Sequence, residues 1–257
     1  MRAQEEHGEG KVRRQQVRSQ VCSEVRAQEL SPMVLASQSK SAASDAARVA
    51  GLCLLDVYAG LAQRGEHLLS GLLRGQAPKQ WAHYPEDDAI DVASGYQWFY
   101  HSHSPEDRPG AAEHGHIHLF ARRKLWSRRL RSQRELAFAE LAGGAKTQVN
   151  TRHLLTIGFD AKGIPITLFT VNSWVTGDLM LSAKTTAELL DRIALDTGYA
   201  DIDAVIESVV RLFKAEILGL LIRRDAVLFG FKGGNVLCNE SLEMLSELVI
   251  DVDSKLA

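Results

Sequence analysis

The sequence is poor in cysteine and has no long apolar run. Its three cysteines, Cys22, Cys53 and Cys238, lie far apart and form no C-x-x-C pair, which excludes a zinc ribbon and a thioredoxin-like dithiol. Scattered thiols fit a reducing compartment. Charge interrupts apolar stretches such as 215–222 well before the ~20 residues needed to cross a bilayer. No signal-like segment opens the printed sequence, so we expect a cytoplasmic protein that is not membrane-bound.

An excess of charge of one sign is also lacking. The chain carries 30 basic and 32 acidic residues, a formal net charge of −2, so nucleic acid held by charge alone is not an expected partner. The basic run at 122–134 is interpreted as a solvated loop, and the alternative is a clamp for an anionic substrate or for nucleic acid. The sequence has no phosphate-binding loop, dinucleotide fingerprint, G-x-S-x-G or H-E-x-x-H motif. This disfavours ATPases, dinucleotide enzymes, α/β-hydrolases and thermolysin-like proteases.

Composition divides the chain into a polar tail and one predicted domain. Residues 1–43 are rich in Gln, Ser, Arg and Glu, which predicts a flexible or partly helical tail. Residues 44–257 are expected to form a single α+β domain. Apolar positions recur at helical spacing from 44 to about 74, and further helices are predicted at about 183–195, 201–222 and 240–249. Apolar residues nearly surround the second of these, which favours core packing or a homo-oligomer formed through the C-terminal helices.

The segments between these helices favour strands. Aromatic-rich residues 96–103 and residues 114–122 are predicted strands. Residues 152–171 are predicted to form a hairpin around the turn at 160–163, where Gly163 ends Asp-Ala-Lys-Gly. The acidic stretch at 81–91 is expected to be rich in turns. This order predicts an α+β fold in which an antiparallel sheet is packed by N- and C-terminal helices.

Histidine is the residue type that stands out. Five of the nine histidines lie between 101 and 118, and side chains alternate along a strand, so His101 and His103 share one face, as do His114, His116 and His118. If the two strands pair antiparallel, their imidazoles converge on one point. We expect His101, His103, His116 and His118 to be ligands of a divalent transition metal. Zn²⁺ or Fe²⁺ is the first expectation, with Cu²⁺ and Ni²⁺ as alternatives.

Other polar residues near these strands are candidates for chemistry and substrate binding. Glu113, His114 and Tyr100 are predicted catalytic residues, because a metal-dependent hydrolase or oxygenase needs groups that move protons. A small-molecule substrate is the expected partner. Its predicted contacts are His83, Arg122, Asn172 and Trp174.

Residues 114–120, His-Gly-His-Ile-His-Leu-Phe, resemble the histidine-triad motif of three alternating histidines followed by two apolar residues. The resemblance implies a nucleotide hydrolase or transferase in which His116 attacks an α-phosphate. Gly115 departs from the apolar residue usual at that place. A non-catalytic metal-binding or scaffold protein is the third alternative.

A wider set of motifs is similar to an uncharacterised bacterial family, known as a domain of unknown function, over about residues 45–230. The motifs are His83-Tyr84-Pro85, an aromatic run ending in Tyr-His-x-His at 100–103, Glu-His-Gly-His-x-His-Leu-Phe from Glu113, and Asn-x-Trp-Val-Thr-Gly from Asn172. The resemblance implies that these motifs belong to one domain. It carries no activity.

Overall fold

The computed structural model of the chain describes residues 38–102, 113–141 and 150–256. The chain divides into two units, residues 1–45 and 46–257. The first is described only where helix α1 begins, and the site and core described below belong to the second. No helix within the described ranges is both long and apolar enough to span a bilayer.

The described residues contain nine α-helices and two 3₁₀ helices, at Arg129–Arg131 and Val236–Cys238. The α-helices are α1 (Gln38–Gln63), α2 (Ser70–Leu73), α3 (Arg123–Trp126), α4 (Gln133–Leu141), α5 (Ser173–Thr176), α6 (Ala183–Leu190), α7 (Ala200–Leu212), α8 (Lys214–Gly230) and α9 (Val252–Leu256). Three of these α-helices have only four residues, and the longest three are α1, α7 and α8.

Seven strands form one open sheet in the order β1-β2-β3-β4-β5-β7. Neighbours along this path are antiparallel, and the short β6 pairs parallel with β4. The predicted α+β fold with an antiparallel sheet and flanking helices is therefore confirmed. The strands are β1 (Tyr84–Ile90), β2 (Tyr96–Ser102), β3 (Gly115–Arg122), β4 (Thr151–Phe159), β5 (Pro165–Val171), β6 (Leu179–Met180) and β7 (Met244–Val249).

One face of the sheet forms the main hydrophobic core with the helices. Trp98 and Ile117 from adjacent strands are fully buried there, together with Val205 of α7 and Leu220 of α8. The indole Nε1 of Trp98 donates a 2.9 Å hydrogen bond to Asp203 of α7, which satisfies its buried donor. Because strand side chains alternate, the histidines of the same strands lie on the opposite face.

Two predicted elements are wrong. Residues 84–90, expected within a turn-rich stretch, form β1, an edge strand whose Glu86 and Asp87 are exposed, and an edge strand tolerates charge well. Residues 244–249, expected in a helix over 240–249, form β7, which pairs with β5. The apolar pattern of these residues is short enough for either a helix or a strand, and pairing with the edge of β5 stabilises the strand.

Three predicted helices keep their place and change their limits. The helix expected over 44–74 spans 38–63 and is followed by α2. The helix expected over 201–222 is two helices, because the backbone leaves helical geometry at Phe213, with φ −104° and ψ 24°. The helix expected over 183–195 ends at Leu190.

Candidate metal centre

The register of β2 and β3 brings three histidines together. His101 lies directly opposite His116, and His118 lies two residues further along β3, opposite Phe99. Directly opposed residues of an antiparallel pair share one face, and so do residues two apart on one strand. His101, His116 and His118, called the triad below, therefore project from the sheet face that lies away from the main core.

The triad is buried, and its Nε2 atoms converge. The Nε2 of His116 lies 2.5 Å from that of His101 and 3.0 Å from that of His118. The three residues are only 8%, 4% and 1% exposed, in chain order. Nitrogens of a tetrahedral zinc site with Zn–N bonds of 2.0–2.1 Å are about 3.3 Å apart, so small side-chain adjustments would admit an ion. This buried triad could hold a metal ion.

Glu113 fixes the orientation of the central histidine. Its carboxylate accepts a hydrogen bond from His116 Nδ1 and a second, of 3.1 Å, from the hydroxyl of Thr167. An ionised carboxylate only accepts hydrogen bonds, so the ring proton of His116 sits on Nδ1. The lone pair of Nε2 then points at the other two rings. This carboxylate–histidine arrangement typically orients a metal ligand and raises its basicity.

A glycine in the neighbouring strand makes room for that carboxylate. Gly158 of β4 lies between His116 and Thr167 in the register of the sheet. A Cβ atom at Gly158 would lie 2.5 Å from Glu113 Oε2 and 2.1 Å from Thr167 Oγ1. The absence of a side chain at this position therefore lets Glu113 bridge the strands.

His153 is a fourth buried histidine of the same cluster, and sequence reasoning missed it. Its Nε2 lies 3.1 Å from His118 Nδ1 and 3.1 Å from the hydroxyl of Thr156, which itself lies 3.2 Å from His118 Nδ1. Burial lowers the pKa of His153 to about 3, so its ring is neutral. His153 thus offers His118 an uncharged hydrogen-bond partner.

A β-bulge explains why the alternation rule does not find His153. Thr156 pairs with His118 and His153 pairs with Phe120, so Leu154 is an extra residue in β4. Two side chains three apart consequently share the histidine face, whereas a regular strand would place them on opposite faces. No residue type in this segment signals the bulge.

Aromatic side chains surround the cluster. The ring of Phe169 lies 5.0 Å from that of His116, and the ring of Phe99 lies 5.1 Å from that of His118. Phe120 lies 5.3 Å from His153. Apolar rings around a metal site limit solvent access and lower the local dielectric constant, which strengthens the electrostatic effect of an ion.

The remaining predicted ligand and catalytic residues have different positions. His103 lies outside the described residues. His114 Nδ1 is 3.2 Å from the hydroxyl of Tyr100, whose ring is buried in the main core. Burial, with the nearby charge of Glu113, raises the pKa of Tyr100. The structure therefore brings Glu113 to the triad, and it brings Tyr100 and His114 to each other.

His83 is the one predicted substrate contact that lies beside the cluster. Its ring stacks on Phe99 at 3.6 Å and lies 6.5 Å from the ring of His101. Its Nδ1 is 2.9 Å from Asp88 Oδ1, and Asp88 also accepts a 2.7 Å hydrogen bond from Gln97. This places a hydrogen-bonded imidazole at the edge of the site.

The other three predicted substrate contacts make structural interactions. Arg122, at the end of β3, donates a 3.4 Å hydrogen bond to Gln97. Asn172 is buried, caps α5 through a 2.8 Å bond from Ser173 N, and donates to a backbone carbonyl. Trp174 Nε1 donates to the carbonyl of Leu242 at 3.2 Å. Roles for these residues in substrate binding stay predictions.

Comparison with known proteins gives one match. Residues 48–250 match the family described as Domain of unknown function (DUF6969). No curated protein and no solved structure matches the chain.

Proposed function

The chain belongs to the DUF6969 family, whose description assigns no activity, and from the site itself we propose that it is a metal-dependent enzyme acting on a small molecule. The observation that carries this proposal is the convergence of three buried Nε2 atoms on one sheet face. Three imidazole rings packed this closely gain a common partner when an ion binds among them.

The supporting residues prepare the triad for a cation. Glu113 holds the His116 proton on Nδ1, which leaves the converging Nε2 of that ring free of a proton. His118 Nδ1 faces the hydroxyl of Thr156 and the ring of His153, and binding of an ion at His118 Nε2 would place the ring proton on Nδ1, where these two groups can accept it. The donor set of three imidazoles suits Zn²⁺ or Fe²⁺ first, and Cu²⁺ and Ni²⁺ are compatible with it.

Within the described part of the chain the site has three protein ligands, a number typical of a catalytic rather than a structural zinc site, because a fourth position stays open for water or substrate. Such an ion polarises a bound oxygen and lowers the pKa of bound water. Glu113 and His153 would keep the ligand rings oriented during turnover. The phenylalanine rings would exclude bulk water from the reacting groups.

Metal analysis of untagged protein tests the proposal most directly. We expect near-stoichiometric metal in the native chain, with loss of that metal in His116→Ala and in His118→Ala. His67→Ala is the matched control, since His67 is exposed and is not a member of the triad. The proposal is wrong if the native chain, purified without chelators and reconstituted in turn with Zn²⁺, Fe²⁺, Cu²⁺ and Ni²⁺, binds none of these ions.

A second measurement separates an open site from a closed one. In the Co²⁺-loaded protein, azide should change the visible absorption spectrum if one coordination position exchanges with solvent. A spectrum that azide leaves unchanged, together with loss of metal in His103→Ala, would indicate a closed four-histidine site and a non-catalytic protein. Metal-free protein that hydrolyses a nucleotide conjugate, with His116→Ala inactive, would instead support histidine-triad chemistry.

A further inference from the structure

Trp81 is a large exposed aromatic residue beside the triad. Its indole ring meets the ring of His101 edge-on, with centroids 5.9 Å apart, and the residue is 57% exposed. His83, two residues later, stacks on Phe99 at the same edge of the cluster. The residues leading into β1 thus place a largely exposed tryptophan next to a candidate metal ligand.

The backbone at Trp81 is strained. Its φ is +64°, a left-handed conformation that is a genuine outlier for a bulky side chain. The segment is a tight turn, in which Ala82 N donates to Lys79 O at 3.2 Å and Lys79 N donates to the hydroxyl of Tyr84 at 2.8 Å. Turns that need a positive φ at their third residue favour Gly or Asn. A tryptophan there is costly, and its large exposed fraction means that burial offsets only part of that cost.

The indole is within reach of a molecule bound to the metal. An ion held by His101 Nε2 at about 2.1 Å would lie no more than roughly 9 Å from the indole centroid. Aromatic rings stack or meet edge-on with centroids 4.5–7 Å apart. A ligand that coordinates the ion through oxygen and carries a ring on the adjacent carbon therefore spans the remaining distance.

We propose that Trp81 is the substrate platform of the metal site and that the substrate is a metal-coordinating small molecule with a planar aromatic group. This inference rests on the proposed function, because it takes the triad as the place where the coordinating oxygens bind. The strained turn holds the indole at the edge of the site, where its exposed surface receives the ring of the substrate.

A pair of hydroxamates tests the platform without knowledge of the natural substrate. Acetohydroxamate and benzohydroxamate coordinate metals through the same two oxygens, and only the second carries a ring. We expect zinc-loaded protein to bind benzohydroxamate more tightly in calorimetric titrations. Trp81→Ala should weaken benzohydroxamate about five-fold and leave acetohydroxamate within two-fold of its native affinity. Trp81→Phe should restore most of the loss.

The zinc content of each variant is measured first, so that two failures are distinguishable. Native protein without bound zinc would overturn the proposed function, and with it the inference. Full zinc occupancy with the same benzohydroxamate affinity in native protein and Trp81→Ala would overturn the platform alone, as would an equal loss for both hydroxamates. Phe229→Ala is the matched control, because Phe229 is a 49% exposed aromatic residue of α8 and should leave both affinities unchanged.

Discussion

The substitution Gly158→Ala adds one methyl group beside Glu113 and so tests whether this carboxylate supports the metal centre. In Gly158→Ala the new Cβ would lie 2.5 Å from Glu113 Oε2 and 2.8 Å from its Cδ. The same Cβ would lie 2.1 Å from Thr167 Oγ1, and separations under 3.0 Å require one group to move, so both the hydroxyl and the carboxylate must shift. His116 would then lose the acceptor that holds its proton on Nδ1.

Loss of such a supporting group typically lowers metal affinity 10–100-fold, which corresponds to about 1.4–2.7 kcal/mol. We expect a loss in this range for Gly158→Ala, measured by competition with a chromophoric zinc chelator. Gly219→Ala in α8 is the control, since its Cβ would meet only Arg223 Nη1 at 3.6 Å, and zinc affinity should not change.

A double-mutant cycle shows whether Gly158 acts through Glu113. In a Glu113→Ala background the carboxylate is already gone, so adding Gly158→Ala should cost little further zinc affinity. If the losses of zinc affinity in the two single variants add fully, Gly158 does not act through Glu113. Native zinc affinity in Gly158→Ala would likewise refute the idea that the glycine makes room for this carboxylate.

Three further predictions concern the support of His118, pH and association. His153→Phe should lower zinc affinity about ten-fold by removing a hydrogen-bond partner of His118, as measured by chelator competition; unchanged affinity would contradict this role. Burial raises the pKa of Asp203 above its ordinary value of 3.8, so its contribution to stability is full below about pH 3.8 and is lost as the pH rises through the folded-state pKa. The free energy of unfolding in urea should therefore rise for the native chain relative to Asp203→Asn as the pH falls from 7 to about 4. A difference between the two proteins that does not change with pH would contradict this prediction. The proposed homo-oligomer would use Leu218 and Ile222, 41% and 55% exposed and one turn apart on α8, so changing both to Glu should leave monomers in sedimentation experiments, whereas a monomeric native chain would disprove the oligomer.

The sequence was sufficient to predict the triad, because its geometry follows from local rules. Alternation places His116 and His118 on one face, and the intervening apolar residue Ile117 marks the other face as core. Pairing of the two strands then brings His101 opposite His116. Glu113 could be named a site residue from its position beside these strands.

The residues that support the triad depend on distant parts of the chain. The importance of Gly158 arises from its register between β3 and β5, which no local pattern encodes. His153 joins the cluster through a bulge, and Trp81 through a turn whose φ is unusual for its residue type. Likewise, Met244–Val249 becomes a strand because β5 offers it an edge, so its structure is decided by a partner more than 70 positions away.

The bulge in β4 has a consequence for how this site can change over generations. Both Leu154 and its neighbour Leu155 are buried in the main core, so the extra residue costs the core nothing while it turns His153 towards the triad. Deleting one of the two leucines would remove the bulge and leave His153 and Thr156 two residues apart, a spacing at which a regular strand also keeps both side chains on the histidine face. Loss of one leucine codon is then compatible with a complete cluster, whereas regular pairing of β4 at its present length would move His153 to the opposite face.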